Sequence, residues 1–313
     1  MLAVGLKTLP FFAVICLGYY AGHKRFFTEA ATAALTKFVF YFALSAMLFR
    51  FASEMSLSDV FDGSFVLAYL LGTSVVYGIA TAVAFWRQKS VAEAAIEAQC
   101  AVIGNVGFLG VPMLVLLLGP QAIGPVMLVQ ATDLIVFGSL IVILITGSRG
   151  GALGLPMLWA LGLGLLKNPM IMSISAGLCL SAFSLPLPGV LKEFLLMLGG
   201  AATPGALFAI GASLAFKSAD RIEIAAWLSF CKLVLHPASV ACVALVLFSI
   251  DTYAAGVMVA AAALPVAGNV YILAQHYEVA PQRVSASILI STMISIITIS
   301  AVIVWLETSL YAG

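Results

Sequence analysis

The feature that most constrains this chain is a series of apolar runs, each about 20 residues long, separated by short charged or Pro/Gly-rich breaks. In lipid, every backbone N–H and C=O must find its partner inside the spanning segment, so such runs are read as membrane-crossing helices. They fall at 4–22, 30–49, 64–86, 95–118, 123–146, 168–184, 190–216, 223–249, 254–274 and 284–306. The pattern predicts an all-α integral membrane protein of ten transmembrane helices, with no room for a sizeable soluble domain. Composition agrees: 63% of residues are hydrophobic and only 9% charged, with a mean hydropathy of +1.17. A soluble domain carries about 25% charged residues, so the lipid bilayer is the solvent for most of this chain. A net charge of +1 supplies no basic stripe, which excludes nucleic acid as a partner. Disorder is excluded by the high hydrophobicity.

Cys16, Cys100, Cys179, Cys231 and Cys242 all fall inside apolar runs and form no CxxC. They read as small apolar packing residues, not disulfides or metal ligands. No cofactor and no metal is expected. The first run contains Lys7 and Pro10 and lacks the basic head and A-x-A site of a cleaved signal. It is expected to remain as the first span.

The longest break divides the chain into five spans plus five: a first repeat at 1–146, a cytoplasmic connection at 147–167 and a second repeat at 168–313. The connection holds GSRGG and then LPMLWALGLGLL, either an interfacial helix or the approach to the sixth span. The fourth and ninth runs carry glycine, asparagine and proline in their middles, GNVGFLGVP (104–112) and LPVAGN (264–269). Five is odd, so the second repeat enters the membrane from the opposite side. Gly and Pro occur in ordinary transmembrane helices. Their occurrence at matching positions of two inverted halves instead points to a transporter with its binding site at the interruptions. Lys24, Arg25, Arg87, Lys89, Arg149, Lys167, Lys217, Arg221 and Arg283 lie on the odd-numbered loops, against Arg50 and Lys192 on the other side. The positive-inside rule then puts the odd loops in the cytoplasm and both termini in the periplasm of a bacterial inner membrane.

A mid-helix proline removes a donor and clashes with the carbonyl four residues back. Unwound backbone is tolerated at membrane depth only beside protein or a wet cavity. There it offers carbonyls to cations and half-helix N-termini to anions. Asn105, Pro112, Pro265 and Asn269 are therefore the candidate substrate-binding residues. Pro112 and Pro265 are expected in non-helical segments that meet near the midplane. Asn105 and Asn269 each add an amide, which suits a carboxylate, a carbonyl or a cation.

Asp133 sits near the middle of the fifth span, where an ionised Asp costs about 2.5–3.5 kcal/mol on insertion scales. It reads as a proton or cation site with Gln130 one turn away, or as a buried structural acid. Lys232 lies well inside the eighth span with His236 one turn on. It can neutralise Asp133, attract an anion, take the place of a coupling cation, or snorkel to the surface. His236 on its own reads as a packed, hydrogen-bonded histidine. Lys37 reads as snorkelling, Glu93 as a helix-start acid and Glu97 as a candidate for the cytoplasmic entrance. The chain has no Walker A, HExxH or GxSxG motif, so ATP drive and hydrolase chemistry are not expected.

The segments KFVFYFALSAMLF (37–49), GNVGFLGVPM (104–113), KNPMIMSISAGL (167–178), ATPGALFAIGASLA (202–215) and LPVAGNVYILAQHY (264–277) are spread over nearly the whole chain. In order and spacing they resemble a bacterial member of the auxin efflux carrier family. The resemblance implies the fold of the sodium–bile acid symporters: two inverted five-helix repeats with crossed, broken helices 4 and 9. Spans 1, 2, 6 and 7 would form a scaffold that could also support a homodimer. Spans 3–5 and 8–10 would form a body that moves like an elevator. The implied function is secondary transport of a small organic anion, by proton coupling or uniport. Ser45 stands where the family often has proline, so the substrate wall formed there by the second span is expected to differ. The competing readings are a sodium-coupled symporter within the same fold, a membrane sensor or channel, and an intramembrane enzyme.

Overall fold

A computed structural model describes residues 2–54, 62–150, 159, 162–164, 166–217 and 222–311. Most of the connection at 147–167, including most of the segment read as an interfacial helix or the approach to the sixth span, lies outside the described residues. So does Arg221. Among the described residues every element is a helix, and the only β-type pairing is an isolated bridge between Gly104 and Val266. Among the described residues, six helices are long and apolar enough to cross a membrane: Glu29–Glu54, Gly63–Trp86, Pro120–Ser148, Gly189–Leu214, Ile222–Leu247 and Pro281–Leu306. Shorter apolar helices cover Leu9–His23, Val106–Leu118, Pro169–Ala182 and Thr252–Ala262. The protein is a multi-pass membrane protein.

Helix starts follow from side-chain chemistry. The first N–H groups of a helix lack intrahelical partners, and Thr28, Asp62, Ser90, Asn168 and Asp251 each supply a side-chain acceptor there. Ser90 and Glu93 form a reciprocal capping box at the start of Val91–Val102.

The helices contain wide π turns at Val39–Ala43, Val106–Gly110, Asp133–Phe137, Cys231–Leu235 and Val243–Leu247. Such turns inside α-helices often mark functional sites. Here they hold Asp133 and Lys232 and adjoin Asn105.

Two packing groups emerge. In the first, α1 (Leu2–His23) lies along Ala202–Leu214, and Leu44–Glu54 lies along Pro169–Ala182. Without a hydrophobic drive between helices in lipid, small residues let backbones approach. A Cβ on Gly211 would collide with the Ile15 carbonyl oxygen, and one on Gly177 would sit 2.5 Å from that of Phe49. In the second group, Gly63–Trp86 packs on Val91–Val102 and His236–Cys242, and Pro281–Tyr311 packs on Ile222–Phe230 and Thr252–Ala262.

Candidate functional site: the crossed helix breaks

The fourth apolar run is a helix at Val91–Val102, a break at 103–105, and a second helical stretch from Val106 to Leu118. The ninth is a helix at Thr252–Ala262, a break at 263–267, and a second helix at Gly268–His276. The two breaks pair with one another. Asn105 N donates to the Pro265 carbonyl at 2.8 Å, and Ala267 N donates to the Ile103 carbonyl at 3.1 Å. These bonds flank the Gly104–Val266 bridge and occupy backbone groups that hydrocarbon would leave unsatisfied. Val266 N donates to Ser291 Oγ at 3.1 Å, with both residues buried. Three neighbours crowd Gly104. A Cβ there would lie 3.3 Å from the Ala261 carbonyl oxygen, from Leu264 Cβ and from Lys232 Cε.

Pro265 lies in the break, as its chemistry suggests. Pro112 does not: it occupies the second position of Val111–Leu118, inside a helix. The partner of the Pro265 segment is 103–105, so matching the two prolines misplaces the register between the runs. The π turn at Val106–Gly110 widens the helix just before Pro112. A wider turn accommodates both the missing N–H and the ring, and helical structure continues through the proline.

Asn105 is half-buried, and its backbone carbonyl accepts from Leu109 N and Gly110 N, both at 3.0 Å. Asn269 is exposed in the first turn of Gly268–His276. Gln130 is buried and turned towards the first break: its Oε1 lies 3.3 Å from where a Gly107 Cβ would be. Ser45 is half-buried, and its hydroxyl donates to the Phe40 carbonyl at 3.2 Å across the π turn of its own helix. The Phe40 ring stacks on Phe108 at 5.8 Å, which sets the Ser45 helix against the stretch that follows the first break.

Beneath the crossing lies a buried polar core. The Tyr69 hydroxyl donates to Asp133 Oδ1 at 2.8 Å, while Asp133 Oδ2 has no hydrogen-bond partner among the described residues. Lys232 is fully buried and donates from Nζ to the carbonyl of Ala262, the last residue of Thr252–Ala262. Its Nζ also lies 3.1 Å from His236 Nδ1, and His236 Nε2 lies 3.0 Å from Thr73 Oγ1. With the ammonium donating to Nδ1, the proton of a neutral imidazole sits on Nε2 and points to Thr73. Asp133 and Lys232 make no direct ion pair among the described residues. Tyr69, bonded to Asp133, and His236, beside Lys232, bring their rings within 5.9 Å of each other. The lysine therefore caps the C-terminal end of a half-helix, where the macrodipole favours a cation.

A profile of the membrane transport protein family, the auxin efflux carrier type, matches residues 4–303. The chain belongs to that family. A Rhizobium meliloti (strain 1021) protein named "Putative malonate transporter" is 32% identical over 304 residues, covering 94% of this chain and 93% of its own. Escherichia coli (strain K12) and Shigella flexneri proteins, each named "Uncharacterized transporter YfdV", are 27% identical, covering 93% of both chains. The protein is a membrane transporter, and its role is transport of a small molecule.

At the other end of the transporter's second packing group, the charged residues form a network. Glu97 is almost fully buried and accepts from both Arg87 and Arg283, and Arg283 also pairs with Glu93. Burial pushes the Glu93 carboxyl up, but hydrogen bonds from Arg283 and from the Ser90 N–H outweigh it and hold the group below its ordinary value. Glu97 is thus bound between two arginines. Lys37 is exposed. A surface cavity of about 590 Å³ lined by Ser90, Glu93, Arg149, Glu278 and Arg283 opens here and contains none of the crossing residues.

Sequence reasoning missed Tyr69, Thr73 and Ser291. The first two stand at i, i+4 on one face of Gly63–Trp86, and nothing in that apolar run marks them as partners of a buried charge.

Proposed function

We propose that this protein is a secondary transporter of a small carboxylate, with the paired breaks as its substrate site. The observation that carries the reading is the crossing itself: two second half-helices begin beside it, at Val106 and Gly268. The first N–H groups of a helix are unsatisfied and its dipole end is positive, so each start favours an anion. Asn105 and Asn269 stand at these two starts and supply amide donors. Two facing anion-favouring ends suit a short dicarboxylate, one carboxylate at each, in keeping with the name of the Rhizobium relative. Pro265 fixes the backbone of one break, and Ser45 and Gln130 flank the other. Pro112 acts at one remove, by shaping the helix that follows.

In this reading the chain forms ten spans as two inverted repeats, in the inner membrane with periplasmic termini. The first packing group is the scaffold, through which two copies would pair, and the second is the body that carries substrate across by an elevator movement. Proton coupling is favoured over sodium coupling. The Lys232 ammonium already supplies a fixed cation at the Ala262 carbonyl, where a half-helix end would otherwise draw a sodium ion. Asp133 retains a buried oxygen free to take a proton.

The test is uptake into proteoliposomes of labelled mono- and dicarboxylates, with imposed proton or sodium gradients. Dicarboxylate uptake driven by a proton gradient and indifferent to sodium is the expected result. Sodium-driven uptake would favour the symporter reading, and ion conduction without saturable carboxylate uptake would favour a channel.

A further inference from the structure

Six buried side-chain polar atoms among the described residues lack a hydrogen-bond partner: Tyr77 OH, Arg87 Nε, Gln99 Oε1, Asp133 Oδ2, Trp227 Nε1 and Thr298 Oγ1. Buried polar atoms are ordinarily paired, and where no protein group serves, ordered water does. The first four are not scattered. They come from Gly63–Trp86 and its cap Arg87, from Val91–Val102, and from the π turn Asp133–Phe137, on helices that pack together.

The helices also set these atoms at successive levels. In the proposed orientation Gly63–Trp86 and Pro120–Ser148 both run towards the cytoplasm, and Val91–Val102 runs away from it. Asp133 lies beneath the crossing. Phe137 is one turn nearer the cytoplasm, and two of the four unpaired groups flank it. The Tyr77 ring lies 5.9 Å from the Phe137 ring, and Gln99 Nε2 donates to the Phe137 carbonyl at 3.3 Å, leaving Gln99 Oε1 free. Glu97, nearer still to the start of its helix, joins the Arg87 and Arg283 network, whose Arg87 Nε is the fourth unpaired atom.

We propose that ordered waters fill the spaces beside these atoms and form a chain that carries protons between Asp133 and the cytoplasmic face. The chain would run inside the carrying body and apart from the substrate crossing. This rests on the transport reading and the orientation given above. Tyr69 donates to Asp133 Oδ1, so Oδ2 is the oxygen that takes the proton. On discharge the Oδ2–H bond breaks and that proton joins the first water. A proton leaves the last water into the cytoplasm, and Asp133 remains as the carboxylate. The groups facing Asp133 are Tyr69 and Lys232, with His236 behind them against Lys232. Those at the far end are Arg87, Glu93, Glu97 and Arg283, with Cys100 beside Glu97. Tyr77 and Gln99 are positioning residues that hold water.

Two measurements on the full-length protein test this. Radiolytic hydroxyl labelling modifies buried side chains that touch ordered water. Phe137 should be labelled about fivefold or more faster than Phe65, which is equally buried. Equal, low labelling would mean a dry interior and overturn the chain. In proteoliposomes with an internal pH dye, Tyr77→Phe and Gln99→Leu should each cut malonate-driven proton movement about tenfold, while malonate–malonate exchange stays within about twofold. Tyr77→Phe keeps the ring, so it stands if Gln99→Leu fails to fold. Unchanged proton movement in a folded Tyr77→Phe variant would also overturn the proposal. If the unaltered protein exchanges no carboxylate, the transport reading fails, and the Phe137 labelling still decides the water chain.

Discussion

At the residue scale the buried charges were legible and their partners were not. Asp133 and Lys232 stand out in an apolar sequence because an ionised side chain at membrane depth demands an explanation. Thr73 does not, because a threonine hydroxyl sits in a membrane helix at little cost by bonding to its own backbone, as Thr81 does to the Tyr77 carbonyl, and Tyr69 does not, because a tyrosine in an apolar run reads as a mostly apolar ring. The structure separates the roles of the two charges. Asp133 keeps an unpaired oxygen, whereas both recorded contacts of Lys232 are structural. Asp133→Asn preserves an acceptor for Tyr69 and removes the titrating group. It should fold normally and lose the dependence of uptake on a proton gradient, read as equal uptake with and without that gradient. Lys232→Met instead leaves the Ala262 carbonyl and His236 Nδ1 without a donor in a buried site. An unsatisfied buried group costs about 1–3 kcal/mol, so this variant should show a lower unfolding midpoint in detergent than Asp133→Asn. A Lys232→Met protein as stable as the parent would mean that the lysine does not brace the half-helix.

At the element scale the sequence announced that two helices break, because Gly, Asn and Pro cluster at corresponding places. It did not announce the register. Pro112 is the louder signal in its run, yet the chain breaks at 103–105, where Gly104 allows the backbones to touch and no proline is needed. The π turns were illegible for a related reason. A single extra residue in a turn leaves the apolar pattern of a membrane helix unchanged, since most faces are apolar anyway. The crossing is held by backbone pairing plus one side chain, Ser291. Ser291→Ala removes the acceptor for the buried Val266 N–H, at a cost of about 1–3 kcal/mol. The expected result is a lower unfolding midpoint with a raised KM for carboxylate, because the start at Gly268 loses its fixed position. Ser291→Thr, which restores the hydroxyl, should recover most of both. Gly104→Val should be far more severe, since the added side chain meets the Ala261 carbonyl, Leu264 and Lys232 at once.

At the scale of the whole molecule, hydropathy was enough to recognise a multi-pass membrane protein. How its two packing groups touch depends on contacts that no sequence pattern encodes. One such contact joins them through Lys217, just past Ala202–Leu214, whose ammonium lies 3.2 Å from the centroid of the Tyr271 ring in Gly268–His276. A cation over an aromatic face is held more strongly as water is excluded. Burial pulls the Lys217 amine down from 10.5 to about 8, with Glu29 partly offsetting the fall. Because the folded value lies below the ordinary one, the unfolded chain binds more protons between those limits, and stability rises with pH across that window. The contact itself behaves oppositely: above about pH 8 the neutral amine no longer binds the ring as a cation. If the second group moves past the first during transport, the contact exists in one position only and must break in each cycle. Turnover should therefore rise as pH passes upward through about 8, and Lys217→Gln should turn over faster at neutral pH and lack that step. Cysteines placed at 217 and 271 should cross-link under oxidation and stop uptake, with recovery on reduction. Full uptake by the cross-linked protein would show that the two groups do not slide past each other there, and the elevator movement would have to be abandoned for one that leaves this contact intact.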